Sequence, residues 1–274
     1  MTLSVRKLSG HVGAEITGVD LEAIDDARFD AVRDALFAHG VVVIRDQTLT
    51  PEGHVRLAER FGPVDVNRFI AAVDGHPKIA AVFTPADANE VIGGSWHTDH
   101  SYDPAPAMAS ILVARELPPY GGDTLFASQT AALRGLSSGL REVLEGLWAW
   151  HSDESFDGYA LAGIDDSDIR GAVRHPVVIA HPQTGEPALY VNDGFTVRFD
   201  GWSAEDSAPL LSHLYAQATR PEISCRVQWA PGSVVIWDNR LVQHFATADY
   251  QGHARLMHRV TIEGQALQPA VGAA

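Results

Sequence analysis

The stretch Ser95–Tyr102, written S-W-H-T-D-H-S-Y, is the one on which the reading of this chain turns. Trp96–Tyr102 reads as a β-strand, and side chains two apart on a strand share a face, so His97 and Asp99 are expected to point the same way. An imidazole nitrogen beside a carboxylate oxygen makes two ligands for a divalent transition metal. A second histidine from elsewhere in the chain completes the two-His-one-carboxylate set that leaves positions open on ferrous iron. With 13 His in the chain, roughly one H-x-D is expected by accident, and a second, His151–Asp153, is present. Context has to choose between them.

Working outward, Ile79–Phe83 and Met108–Glu116 read as flanking strands, and P-P-Y-G-G-D-T (Pro118–Thr124) as a turn cluster. Upstream, the first twenty residues suggest a short strand and a Gly-rich turn. A helix capped at Asp25 or Asp26 runs to His39, with Phe29, Val32 and Leu36 on one stripe and Gly40 as its stop. Val41–Arg45 is a nearly unbroken apolar run, a buried strand, and Thr50-Pro51-Glu52 opens a helix to about Phe61. Downstream, Leu140, Val143, Leu144 and Leu147 predict a helix over 137–150. The acidic, Gly-rich segment Ser152–Gly171 has no period and suits a lid over a site. A hairpin (177–181 with 188–192), a helix from Ser203 to about Arg220, and strands at 225–229, 234–238 and 255–263 complete the chain. Helices do not alternate with strands as β-α-β units. The expected fold is therefore mainly β with flanking helices, a barrel or sandwich formed as one domain over residues 1–274.

Composition narrows the function. Hydrophobic content of 46% and charged content of 20% are those of a globular protein. The net charge of −15 argues against nucleic acid or an anionic membrane as partner. The N-terminal residues lack the apolar core of a secretory signal, and no stretch approaches a membrane span. A single Cys, Cys225, excludes an internal disulfide and a Cys-based zinc site and fits a reducing, cytoplasmic setting. A homo-oligomer is compatible with all of this.

His151 is expected at a helix C-terminus, where the helix dipole favours it for ordinary structural reasons, so the second H-x-D is the weaker candidate. The missing ligand should come from the C-terminal strands, which offer His244, His253 and His258 together with Arg255 and Arg259. Two Arg four apart on a strand share a face, and each can grip a carboxylate or sulfonate through paired hydrogen bonds. In an apolar strand of a strongly acidic protein, that clustering favours anion binding.

S-W-H-T-D, E-L-P-P-Y-G-G-D-T, W-D-N-R-x-x-x-H and R-L-M-H-R-V-T-I, in this order and joined by G-A-E-I-T-G-V-D and R-D-Q-T-L-T-P-E near the start, resemble the taurine/2,4-dichlorophenoxyacetate dioxygenase family. The resemblance spans nearly the whole chain. It implies a double-stranded β-helix (jelly-roll) core and an Fe(II)- and 2-oxoglutarate-dependent oxygenase that uses O2, decarboxylates 2-oxoglutarate to succinate and hydroxylates a substrate C–H. Carried over by position, His97, Asp99 and His244 would bind iron, and Thr124 and Arg255 would hold the distal carboxylate of 2-oxoglutarate. Arg259 would pair with the anionic group of a small organic substrate, with Phe156 and Phe195 lining its pocket; His253 and His258 match no ligand position.

The chain departs from the taurine-specific members. Where they place polar partners for sulfonate and amine, F-G-P-V-D-V-N-R-F-I puts Asn67 and Ile70, and Gly93 stands in place of an Asn. Taurine is thus not expected to be the best substrate, and an alkyl or aryl sulfonate, sulfate ester or phenoxyalkanoate is expected. His100, at an odd offset from His97 and Asp99, is expected to face away from the metal. The competing readings are a non-oxidative jelly-roll metalloenzyme and a non-catalytic small-molecule binder, neither of which needs a carboxylate clamp at the spacing of Arg255 from His244.

Overall fold

The computed structural model describes residues 2–88, 91–156 and 171–270. Strands β1 (Ser4–Lys7) and β2 (Ala14–Thr17) form an N-terminal hairpin. Helix α1 (Asp26–His39) begins where the Asp25 side chain accepts from the Arg28 amide, and it stops at Gly40, whose φ of 70° closes the C-terminus. Strand β3 (Val41–Ile44) is buried throughout, and α2 (Pro51–Glu59) starts at Thr50, whose hydroxyl accepts from the Gly53 amide.

Next come the short strands β4 (Val64–Asp65) and β5 (Ala72–Val73), then β6 (His76–Thr84), β7 (Ala109–Glu116) and β8 (Thr124–Ser128). Helices α3 (Gln129–Arg134) and α4 (Ser138–Glu145) lead to β9 (Trp148–Ser152), β10 (Ala172–Pro176), β11 (Val178–Ala180), β12 (Pro187–Leu189) and β13 (Thr196–Phe199). After α5 (Ala204–Ala218) the chain closes with β14 (Ser224–Val227), β15 (Val234–Asp238), β16 (Val242–Ala246), β17 (Arg255–Ile262) and β18 (Gln268–Pro269).

Two facing sheets carry the site. The large one runs β1-β2-β3-β15-β7-β17-β6-β5, with β4 on the end of β17, and only β2–β3 is parallel. The smaller antiparallel sheet is β14-β8-β16. Alternation sorts the large sheet's side chains. Val42, Ile44, Ile111, Val113, Val234, Ile236, Val260 and Ile262 face α1 and α2, against Phe29, Val32, Leu36 and Leu57. Val41, Val43, Leu112, Val235, Trp237 and Met257 face the small sheet's Phe126, Cys225, Val227 and Val242. Covered on both faces, the central strands are apolar at nearly every position. The helices α3, α4 and α5 pack a further core with β9, β11, β12 and β13. This is the mainly β, jelly-roll core with flanking helices read from the sequence.

Three expectations need correction. Trp96–Tyr102 is not a strand: His97 makes a single bridge to His244, and the chain then turns through Asp99–Tyr102 with φ 58° at His100. The helix expected over 137–150 ends at Glu145, and Trp148–Ser152 is the central strand of the β10-β9-β13 sheet. Gly146 interrupts the pattern, and the next residues satisfy their backbone groups on two strand partners instead. His151 is therefore buried in a strand and no helix dipole acts on it. Most of the expected lid, residues 157–170, lies outside the described residues.

Candidate active site

The bridge between His97 and β16 brings the two histidines together, with backbone hydrogen bonds in both directions and ring centroids 4.1 Å apart. Asp99, two residues on, turns into the same space. Its Oδ1 lies 3.7 Å from His97 Nε2 and 3.8 Å from His244 Nε2. Among the described residues, His97, Asp99 and His244 are the group whose ligand atoms converge, all within 4.8 Å and all buried.

The surroundings prepare these groups to bind a cation. His97 Nδ1 faces the Ser95 carbonyl at 2.8 Å, which assigns the proton to Nδ1 and leaves Nε2 a free lone pair. Burial holds the His97 pKa below its ordinary value, although Asp99 pulls the other way. Burial, reinforced by His97, lowers His244 further. Burial would raise Asp99, but the Arg259 guanidinium and the neighbouring imidazoles outweigh it and hold the carboxyl well below the usual range. Two neutral imidazoles and an ionised carboxylate are the donor set that a borderline divalent ion takes, so the residues fit iron(II).

Arg255 and Thr124 come near one another at a second point between the sheets. Arg255 opens β17 and is buried, yet its Nε and Nη2 have no hydrogen-bond partner among the described residues. A buried guanidinium with two unsatisfied N–H groups is suited to receive a carboxylate. Gly122 packs against it; a Cβ there would come within 3.2 Å of Arg255 Cδ. Trp229 links Arg255 to Thr124: the Arg255 guanidinium carbon lies 5.8 Å from the indole centroid, and Trp229 Nε1 donates to Thr124 Oγ1 at 3.0 Å. With that lone pair taken, the Thr124 hydroxyl proton is free for a second acceptor. Trp229 was missed by sequence reasoning, because its contact with Thr124 crosses from one strand connection to another strand 105 positions away.

Arg259 shares the inner face of β17 with Arg255 and Met257. It donates from Nη1 to Asp99 Oδ1 at 3.1 Å, so it borders the triad directly. A cavity of about 490 Å³ opens in front of it, reached by His97, Asp99, His100 and Arg259. One part of its wall is aromatic. Phe69 stacks on Phe156 at 4.5 Å, Tyr102 meets Phe195 at 4.8 Å, and Phe195 stands edge-on to His97 at 5.9 Å. Ile70 joins this cluster, and Gly93 lines the cavity beside the His97 ring, where an added Cβ would come within 3.1 Å of it. Phe69 and Tyr102 complete a surface of which only Phe156, Phe195 and Ile70 were anticipated.

Asn67 lines the cavity but is already engaged. Its Oδ1 accepts from the Phe69 and Ile70 amides, and its Nδ2 lies 3.3 Å from His100 Nε2. His100 itself corrects an expectation: it lines the cavity instead of facing away, because the turn replaces strand alternation at this point. His151 and Asp153 do not converge as ligands. Asp153 accepts from Arg68 at 3.0 Å, and His151, its pKa held far down by burial, sits against His175. His253 stands against Tyr120, and His258 accepts from Arg115 Nε at 3.1 Å; both are apart from the triad.

Comparison with known proteins agrees with this geometry. The family described as "Taurine catabolism dioxygenase TauD, TfdA family" matches residues 4–261. An alkylsulfatase of Acinetobacter baylyi is 35% identical, with 98% of this chain and 88% of that protein aligned. An alpha-ketoglutarate-dependent sulfate ester dioxygenase of Pseudomonas putida is 35% identical over 97% of this chain and 91% of that protein. The crystal structure of a taurine dioxygenase from Burkholderia xenovorans superposes with a TM-score of 0.85 at 34% identity, covering 97% of this chain and 93% of that one.

Proposed function

The chain belongs to the TauD, TfdA family of iron(II)- and 2-oxoglutarate-dependent dioxygenases, and on that premise we propose that it hydroxylates the C–H-bearing carbon that carries the anionic group of an alkyl or arylalkyl sulfate ester or sulfonate. The observation that carries this reading is the cavity of about 490 Å³, lined by aromatic side chains and by Arg259, which donates to Asp99. One guanidinium facing an apolar chamber suits one anionic head on an apolar body. Taurine also carries an ammonium group, and its amine would meet Ile70, Phe195 and Gly93 there.

In this reading His97, Asp99 and His244 hold iron(II), which together with 2-oxoglutarate and O2 supplies the oxidising chemistry. The protein's own part is positioning. Arg255 and the Thr124 hydroxyl take the distal carboxylate of 2-oxoglutarate. Arg259 orients the substrate anion, and Phe69, Phe156 and Phe195 exclude water around the carbon chain. One oxygen atom goes to the substrate and the other to succinate, with release of CO2. A sulfate ester hydroxylated at its ester carbon then separates into an aldehyde and hydrogen sulfate. Phenoxyalkanoates are a second reading, favoured by the aromatic wall. A cytoplasmic site of action is in keeping with a single cysteine, Cys225, which leaves no internal disulfide to form.

The test is oxygen consumption with parallel assay of succinate and sulfate over a panel of alkyl sulfates, alkyl sulfonates, phenoxypropionate and taurine. A medium-chain alkyl sulfate should exceed taurine in kcat/KM by at least about 100-fold. Equal turnover of taurine would overturn the substrate assignment. Anaerobic addition of iron(II) and 2-oxoglutarate should also produce a visible charge-transfer band in the wild type and none in His97→Ala.

A further inference from the structure

Behind the triad, a one-way chain of hydrogen bonds ends on Asp99. Trp237 Nε1 donates to Asn239 Oδ1 at 2.9 Å. Asn239 Nδ2 donates to Ser110 Oγ at 3.3 Å, and Ser110 Oγ donates to Asp99 Oδ2 at 2.7 Å. An indole N–H can only donate, so it fixes which end of the Asn239 amide faces Ser110. The amide then occupies a lone pair of Ser110 and directs the single hydroxyl proton to Asp99. Trp237, Asn239 and Ser110 are each at most 1% exposed, so water does not compete for these groups.

The two oxygens of Asp99 are thereby given different work. Oδ2 is held by a short hydrogen bond to Ser110, while Oδ1 faces both His97 and His244 and meets Arg259 with a remaining lone pair. We propose that Ser110 and Asn239 are positioning residues that restrict Asp99 to a single-oxygen metal ligand, keeping open the coordination position that a chelating carboxylate would take. Trp237 also packs its ring 4.8 Å from that of His244, so the end of β15 and the turn after it touch two of the three candidate ligands at once. The turn itself is locked by Asp238, which accepts from Arg240 Nη2 at 2.6 Å and faces His181 Nε2 at 3.0 Å.

The inference rests on the triad reading, and the experiment separates the two. Co(II) is titrated into metal-free wild type, His97→Ala, Ser110→Ala, Ser110→Thr and Asn239→Asp, following the visible d–d absorption, the Co(II) affinity and 2-oxoglutarate binding to the Co(II) form. Ser110→Ala should shift the d–d bands, weaken Co(II) by about 10–100-fold and weaken 2-oxoglutarate by about tenfold or more. Ser110→Thr, which restores a hydroxyl, should recover the wild-type spectrum. Asn239→Asp keeps the shape of the side chain but gives Ser110 an acceptor in place of a donor, so it should reproduce the spectral shift even where Ser110→Ala folds poorly. An unshifted spectrum in Ser110→Ala or in Asn239→Asp, or a Ser110→Thr no better than Ser110→Ala, would overturn the proposal. Wild-type Co(II) binding by His97→Ala would instead overturn the triad reading beneath it.

Discussion

Arg255 shows how a single side chain can be stabilising only in company. It is buried with two guanidinium nitrogens that have no partner among the described residues, a costly arrangement unless a ligand completes it. Truncating one partner of a buried charge-assisted pair typically costs about 2–5 kcal/mol, so Arg255→Ala should weaken 2-oxoglutarate by about 30-fold or more in calorimetric titration of the Mn(II) form. Arg255→Lys should recover only part of this, since an ammonium cannot present two parallel donors. Trp229→Phe keeps a ring near Arg255 but removes the donor to Thr124. Its expected cost is about 1 kcal/mol, roughly fivefold in the same titration. An unchanged dissociation constant in Arg255→Ala would place the distal carboxylate elsewhere.

At the scale of elements, α1 offers a comparison of its two ends. Asp25→Ala removes the N-cap acceptor and should cost about 1 kcal/mol. Gly40→Ala meets two obstacles: a φ of 70°, and an added Cβ 2.7 Å from Val242 Cγ1 at the start of β16. It should cost more, about 2 kcal/mol or above, read as a lower urea midpoint at unchanged slope. A Gly40→Ala protein as stable as wild type would mean that the turn relaxes freely. Both ends of α1, the cap of α2 at Thr50 and the buried run of β3 were legible because caps and periodicity are local signals. What was not legible depends on partners far along the chain. Nothing near Trp96–Tyr102 reveals that its one bridge is to His244 or that Asp99–Tyr102 turns, and the face expected for His100 failed with it. Leu147 falls on the helical stripe of α4, yet it lies beyond Gly146, at the entry to a strand. The candidate ligands were legible from motif order, whereas Ser110, Asn239 and Trp229 act through contacts that only the folded sheets create.

For the whole molecule, the buried histidines set the response to acid. Burial holds His54, on the inner face of α2 with Nε2 3.1 Å from the Ile111 carbonyl, down to about 3, and His175 down to about 4. In the unfolded chain both titrate near the ordinary histidine value of about 6.5. Their folded pKa values are depressed, so their contribution to stability is fully present above about pH 6.5 and is lost as pH falls toward the folded values. By pH 5 each should have cost about 2 kcal/mol. His97 and His244, also depressed, act in the same direction when no metal is bound. The net charge of −15 acts oppositely, since protonating carboxylates relieves self-repulsion. Ordinary carboxylates titrate near pH 4, however, so between pH 6.5 and 5 the histidines dominate. Calorimetry of the chelator-treated protein at constant ionic strength should therefore show Tm falling by on the order of 10 °C across that interval. His54→Gln, which keeps a polar group near the Ile111 carbonyl but cannot take up a proton, should flatten the slope. A Tm independent of pH from 6.5 to 5 would mean that these imidazoles are reached by water in the folded protein.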